Sequence, residues 1–199
     1  DFSAGPVFAH YDRDVIRANA TGNFRTMLEA VAQSTSMLYY LDNLNNSRSG
    51  PNENFARELL ELHTFGAENY LGFMDPFAVP PCPEDPSYPI GYTDIDVYET
   101  SAAFTGWSAK VGHWQFPSEN DGTFSYHQSW HDAGPKFLLG MLIYPEQPAL
   151  KDGRDVLDRL ASHPRVAKFI CKKLIRRFVS DTPSQKLIDS AALVFRANW

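Results

Sequence analysis

The last quarter of the chain is patterned as three consecutive amphipathic helices, and this pattern constrains the fold more than any other feature. Apolar side chains recur at three- and four-residue spacing between Pro164 and Val179, and the proline occupies the first helical position, where it is best tolerated. Similar patterns cover 154–161 and 184–197. Because such helices bury one stripe and expose the other, they require a common core. The chain is therefore predicted to be mainly α.

Further helices are predicted over Asn23–Gln33, from the N-cap Ser34, over Glu53–Phe65 with Gly66 as the C′ residue, and from Thr93 to about Thr105. Alternating residues on either side of an Asp-Gly turn predict an antiparallel β-hairpin at about residues 107–130. The fold class is thus a helical domain with one small β-hairpin. Residues 76–91, rich in proline, are predicted to be an irregular loop. The Asn-rich segment 42–47 is predicted to be a turn held by side-chain to backbone bonds, since its spacing does not match an EF-hand.

Size and charge exclude several classes of protein. A chain of 199 residues is sufficient for a single domain with its own core, and we expect 1–199 to be one domain. The net charge of −6 argues against a nucleic-acid partner. No apolar run is long enough for a transmembrane helix. The two cysteines, Cys82 and Cys171, allow one disulfide without requiring it.

The densest polar segment is the predicted helix Glu53–Phe65. Helical periodicity places Glu58 and Glu61 on one face, beside Arg57, and places His63 on the apolar face. The carboxylates could bind a divalent metal or act as acid and base, with Arg57 orienting one of them. The alternative is a solvated acidic face with a hydrogen-bonded core histidine.

A second polar segment surrounds His127, His131 and Asp132. On a β-strand, His127 and His131 would lie on the same face, four residues apart, which suits two imidazole metal ligands. Asp132 would be a third ligand or would orient an imidazole. The alternative is a pair of surface or interface histidines. The basic residues of the helix after Pro164 offer either a solvated face or a docking surface for an acidic partner, with Cys171 on the buried side.

Several segments together resemble the family called domain of unknown function 1800. The resemblance lies in Asn52–Gly66, in Tyr92–Glu99 running into Ala103–Trp107, in the His-Asp-x-Gly-x-Lys segment from His131 to Lys136, and in Leu160–Val179. It implies an exported bacterial protein, extracellular or periplasmic, of which this chain is the central part. It also implies that the rest of the parent chain, or another subunit, is a partner. The family name carries no activity.

Three hypotheses follow. The first is an exported enzyme in which Glu58, Glu61 and Arg57 are catalytic and His63, His127, His131 and Asp132 bind a divalent metal. The second is a non-enzymatic extracellular binding or assembly protein, with contact surfaces such as Trp107, Trp114, Trp130 and Tyr126; the high aromatic content of 14% favours it. The third is a haem- or redox-partner-associated protein that uses the basic helix.

Overall fold

The computed structural model describes residues 7–199 and confirms a mainly α fold. Within these residues the α-helices are α1 (Phe8–His10), α2 (Phe24–Ala32), α3 (Thr35–Tyr40), α4 (Asn54–Glu58), α5 (Asp94–Ala103), α6 (Lys151–Ser162), α7 (Pro164–Phe178) and α8 (Gln185–Arg196). A π-helical segment continues α1 over Tyr11–Arg17 and another continues α4 over Leu59–Thr64. The sequence patterns did not predict the helix at Phe8–Arg17. No helix within residues 7–199 has the length and apolarity needed to cross a bilayer.

The strands form three separate antiparallel hairpins. They pair as β1 (Pro81–Cys82) with β2 (Asp85–Pro89), β3 (Trp107–Ala109) with β4 (Phe124–Tyr126), and β5 (Lys136–Leu138) with β6 (Met141–Ile143). The second is the predicted hairpin, with Trp107 opposite Tyr126, but its strands have only three residues each. The prediction of an irregular loop over 76–91 was wrong, because β1 and β2 lie there. The pair β5–β6 was not predicted.

Local sequence signals place the helix ends. Asn23 caps α2 by accepting a hydrogen bond from the Thr26 amide, and Thr93 and Asp96 form a reciprocal capping box at the start of α5. Gly66 follows the α4 segment with φ of +84°, a conformation that glycine adopts without strain. These signals depend only on nearby residues. The helices that begin or end at them could therefore be predicted from the sequence.

Helix α5 lies at the centre of the core. It packs against α4, α6 and β5, and it buries Val97 and Ala103 completely. Helix α6 extends this core towards α2 and α7. The two cysteines are buried and unbonded to each other, and burial raises the pKa of both thiols. Cys171 lies on the buried side of α7, as predicted.

The Asn-rich segment is a turn, as predicted, and buried amides anchor it to distant parts of the chain. Asn43 donates to the carbonyl oxygen of Trp107 at 3.0 Å. Asn46 is fully buried; its Nδ2 donates to the carbonyl oxygen of Ser101 at 3.0 Å, and its Oδ1 accepts from the amide of Asn52 at 2.9 Å. The turn therefore joins the end of α5 to the segment that precedes α4.

Replacing Asn46 should destabilise the fold strongly. Asn46→Ala leaves the part-buried amide of Asn52 without its acceptor and removes one of the two hydrogen bonds to the carbonyl oxygen of Ser101, so we expect the free energy of unfolding to fall by about 1–3 kcal/mol. Urea denaturation measures it. Asn45→Ala is the matched control, because Asn45 is exposed in the same turn. Equal losses in the two variants would contradict the anchoring role of Asn46.

A buried histidine caps helix α7. The Nδ1 atom of His163 accepts a hydrogen bond from the Arg165 amide, and the ring packs between Phe65 and Tyr88. Burial, aided by the charge of Arg159, lowers the pKa of His163 to about 3. The imidazole is therefore neutral in the folded protein under conditions where the unfolded chain would protonate it.

Acidification should destabilise the protein through His163. Between pH of about 6.5 and about 3 the unfolded state binds a proton that the folded state excludes, so the free energy of unfolding falls by up to roughly 1.4 kcal/mol per pH unit. His163→Asn keeps a capping acceptor and should reduce this slope in urea titrations at several pH values. His10→Asn, which replaces an exposed histidine, should change the slope less than His163→Asn does. An unchanged slope in His163→Asn would refute the assignment.

Candidate functional site

A buried ionic network surrounds Lys136. Strand β5 points this side chain inwards, and it is only 2% exposed. Its ammonium donates to the Asp152 carboxylate at 2.8 Å and to the carbonyl oxygens of Asp132 and Gly134 at 2.6 and 2.9 Å. All three ammonium protons therefore have acceptors.

His131 and Asp152 complete this buried network. The Nε2 atom of His131 lies 3.3 Å from Asp152, and its Nδ1 lies 3.0 Å from the carbonyl oxygen of Thr105. Gln147 donates to the other oxygen of Asp152. Burial acts to raise the pKa of Asp152, but hydrogen bonds from His131 and Lys136 outweigh burial and lower it. Both imidazole nitrogens are engaged, so the network links β5, residues 131–135 and α6.

Close packing at the start of α6 positions Asp152. A Cβ atom on Gly153 would lie 2.7 Å from the ring of Trp107, so only glycine allows α6 to approach this core residue. The approach places the preceding residue, Asp152, against His131 and Lys136. The prediction that Trp107 forms a contact surface was therefore wrong.

His127 and His131 do not share a strand face, contrary to the sequence prediction. Residues Gln128–Trp130 form a 3-10 turn between them. His127 is buried, stacks on Phe116 with ring centroids 3.8 Å apart, and lies 3.2 Å from the hydroxyl of Ser125. Burial lowers its pKa. The turn thus separates the two imidazoles: His127 packs against an aromatic ring, and His131 contacts the carboxylate of Asp152.

The predicted catalytic arginine lies in a second polar cluster. The guanidinium of Arg57 binds the carboxylate of Glu53, one turn earlier, and that of Asp94 at 3.0 Å. Tyr70 donates to the same Asp94 oxygen at 3.0 Å. The hydrogen bond to Glu53 is the main reason that the pKa of Arg57 is raised. Arg57 therefore orients carboxylates, but they are not those of Glu58 and Glu61.

Glu61 and His63 lie in the π-helical segment that continues α4, and each has different surroundings. Glu61 lies near Tyr92, where burial and then the charge of Glu61 raise the pKa of the tyrosine. His63 is partly buried and donates from Nδ1 to the carbonyl oxygen of Glu58 at 2.9 Å, a bond that the π-helical segment allows. Burial lowers the pKa of His63. This geometry matches the alternative of a hydrogen-bonded histidine.

Helix α5 separates the two polar clusters. Arg57 contacts its first residue, Asp94, whereas His131 contacts Thr105, just beyond its end. Because a ten-residue helix is about 15 Å long, Arg57 and His131 lie far apart, at opposite ends of α5. The two predicted groups of residues are therefore not brought together. No group of three or more His, Cys, Asp or Glu side chains within 7–199 is arranged to hold a metal ion. The catalytic and metal-binding roles of these residues stay predictions.

Three of the six basic residues of α7 pair with carboxylates, Arg165 with Glu84 among them. Lys168 pairs with Glu84 and Asp189 at 2.5 and 2.8 Å, and Lys172 pairs with Glu68 at 3.4 Å. These pairs reduce the positive field that an acidic partner or a haem propionate would meet.

Sequence analysis missed Lys136 and Asp152 as site residues. Lys136 belongs to the quoted His-Asp-x-Gly-x-Lys segment, and its alternation with Leu138 would have indicated an inward position on a strand. Asp152 carries no such signal, because an acidic residue in the first turn of a helix is ordinarily a surface residue that complements the helix dipole.

Breaking the buried pair should destabilise the protein far more than breaking an exposed one. Asp152→Ala leaves the Lys136 ammonium buried without its counter-charge, so we expect a loss of about 3–5 kcal/mol. Lys151→Ala removes an exposed pair with Asp155 and should cost less than about 1 kcal/mol. Urea denaturation distinguishes the two. A loss below about 1 kcal/mol for Asp152→Ala would show that the network contributes little.

Comparison with known proteins places the chain in a family. Neither the curated proteins nor the solved structures yielded a match. The sequence profile of the family described as protein of unknown function (DUF1800) matches residues 3–199, which include both polar clusters. The expected resemblance is thereby confirmed, and the chain belongs to the DUF1800 family.

Proposed function

We propose that this chain is a binding protein that contacts a polypeptide partner through one exposed apolar surface. This surface, here called the α5 surface, consists of Phe73, Phe77, Ile95, Tyr98, Phe137 and Leu142. Phe73 and Phe77 are 89% and 80% exposed. Large contiguous apolar patches are uncommon on monomeric proteins and are typical of interaction sites.

Contacts between neighbouring segments join three members of the α5 surface, Phe77, Phe137 and Leu142. Phe77 stacks on Phe137 with ring centroids 4.6 Å apart, and Phe137 lies opposite Leu142 in the β5–β6 hairpin, so both point to the same side. Ile95 and Tyr98, three residues apart, are both exposed on α5.

Two hydrogen bonds attach the outer parts of this surface to α5. The Phe137 amide donates to Glu99 at 3.3 Å, and the Asp94 amide donates to the carbonyl oxygen of Gly72 at 2.9 Å. The second bond places Phe73 beside the start of the helix. The aromatic side chains are thus held on an ordered framework, which lowers the entropy lost when a partner binds.

The chemistry of the surface favours a partner with apolar and basic residues. Asp75 accepts from the Phe77 amide at one side, and Glu99 lies at the other, close to Asp132. These bordering charges are carboxylates, so Lys or Arg on the partner would complement them. An extracellular or periplasmic location, implied by the family resemblance, is part of the proposal, and cell fractionation with an antibody tests it.

A random-peptide phage library is the probe for this function. Selection on the immobilised protein should enrich peptides that combine aromatic or aliphatic residues with Lys or Arg. Phe77→Ser should weaken their binding by about tenfold or more, because an anchor of the surface is lost. Phe178→Ser is the matched control, since Phe178 is similarly exposed on α7. Equal affinity for both variants, or no enrichment, would contradict the proposal.

A further inference from the structure

A long apolar groove lies on another part of the molecule, between α2 and the C-terminal helices. It comprises two adjoining cavities of about 560 and 280 Å³ that share Phe24, Met27, Ile170 and Leu174 as lining residues. Trp199 lines the larger cavity only. The volumes and the mainly apolar lining are those of sites for organic ligands.

The smaller cavity carries a positive charge that is not neutralised. Lys173 lines it, with its ammonium 4.7 Å from the centre of the Phe169 ring and 3.4 Å from the carbonyl oxygen of Leu62. The other two lysines of α7, Lys168 and Lys172, pair with carboxylates, whereas Lys173 forms no ion pair among residues 7–199. Lys173 is exposed, so an anionic group of a ligand at the edge of the groove would find its counter-charge here.

His63 lines the same cavity beside Lys173. Burial and the neighbouring ammonium both lower its pKa, whereas Glu58, the acidic neighbour of the ring, acts in the opposite direction. The imidazole is therefore neutral at pH 7, and the ammonium of Lys173 provides the positive charge. One end of the groove is thus cationic and the rest is mainly apolar, with Asn19, Asn23 and Asn198 also lining the larger cavity.

We propose that this groove binds a long-chain carboxylate. The carboxylate would pair with Lys173, and the hydrocarbon chain would extend past Met27 and Leu174 towards Trp199. This site does not overlap the α5 surface, so it does not depend on the proposed polypeptide partner.

Calorimetric titration with fatty acids below their micelle concentrations tests the proposal. We expect saturable binding that strengthens about 15-fold from dodecanoate to tetradecanoate, because two more methylenes are buried. Leu174→Trp should abolish binding of both by filling the part that the two cavities share. Leu193 is exposed and lies outside both cavities, so Leu193→Trp should bind both fatty acids as tightly as the unsubstituted protein does.

Substitution of the lysine tests the head group separately. Lys173→Gln should weaken tetradecanoate binding by about tenfold and leave the binding of tetradecanol unchanged. Lys172→Gln removes the same charge one residue away, outside the groove, and should have no effect. Thermal melting confirms that each variant folds. The proposal is overturned by an absence of saturable binding, by equal effects of Lys172→Gln and Lys173→Gln, or by a concentration-dependent dimer whose formation excludes the fatty acid.

Discussion

The ionic contact between Lys136 and Asp152 is the constraint on which the centre of the structure depends. An ammonium group out of water is costly unless its charge and all its protons are matched. Here the matching groups come from α6, from the carbonyls of 132 and 134, and through His131 from the end of α5. The β5–β6 hairpin, α5 and α6 must therefore hold one relative position, and the proximity of Trp107 and Gly153 reinforces it.

In this arrangement several polar residues are buried and several large apolar residues are exposed. His131, His127 and Lys136 are buried, and their polar atoms are bound within the protein. Phe73, Phe77 and Phe178, in contrast, are exposed. A catalytic site needs reactive groups that a substrate can reach, whereas a binding surface needs accessible apolar area held in place. The proposed function and the proposed ligand groove therefore both rest mainly on apolar contacts.

Helix α5 also explains why the predicted residues do not form one site. Its two ends carry Asp94, bound to Arg57, and the segment bound to His131. The position of a segment in the sequence does not reveal which end of a helix that segment will contact. Each of the two clusters includes partners that the sequence patterns did not indicate, Asp94 and Tyr70 in one and Asp152 in the other.

The sequence by itself determined the helical class, the start of α5 and the hairpin at about 107–130, because each depends mainly on residues that are near one another in the chain. Only the tertiary structure decided the rest. The burial of Lys136, its partner Asp152, the separation of Glu58 and Glu61 from His131, and the exposure of Phe77 depend on contacts between distant segments. Such contacts are set by how whole helices and hairpins pack, and no local pattern encodes them.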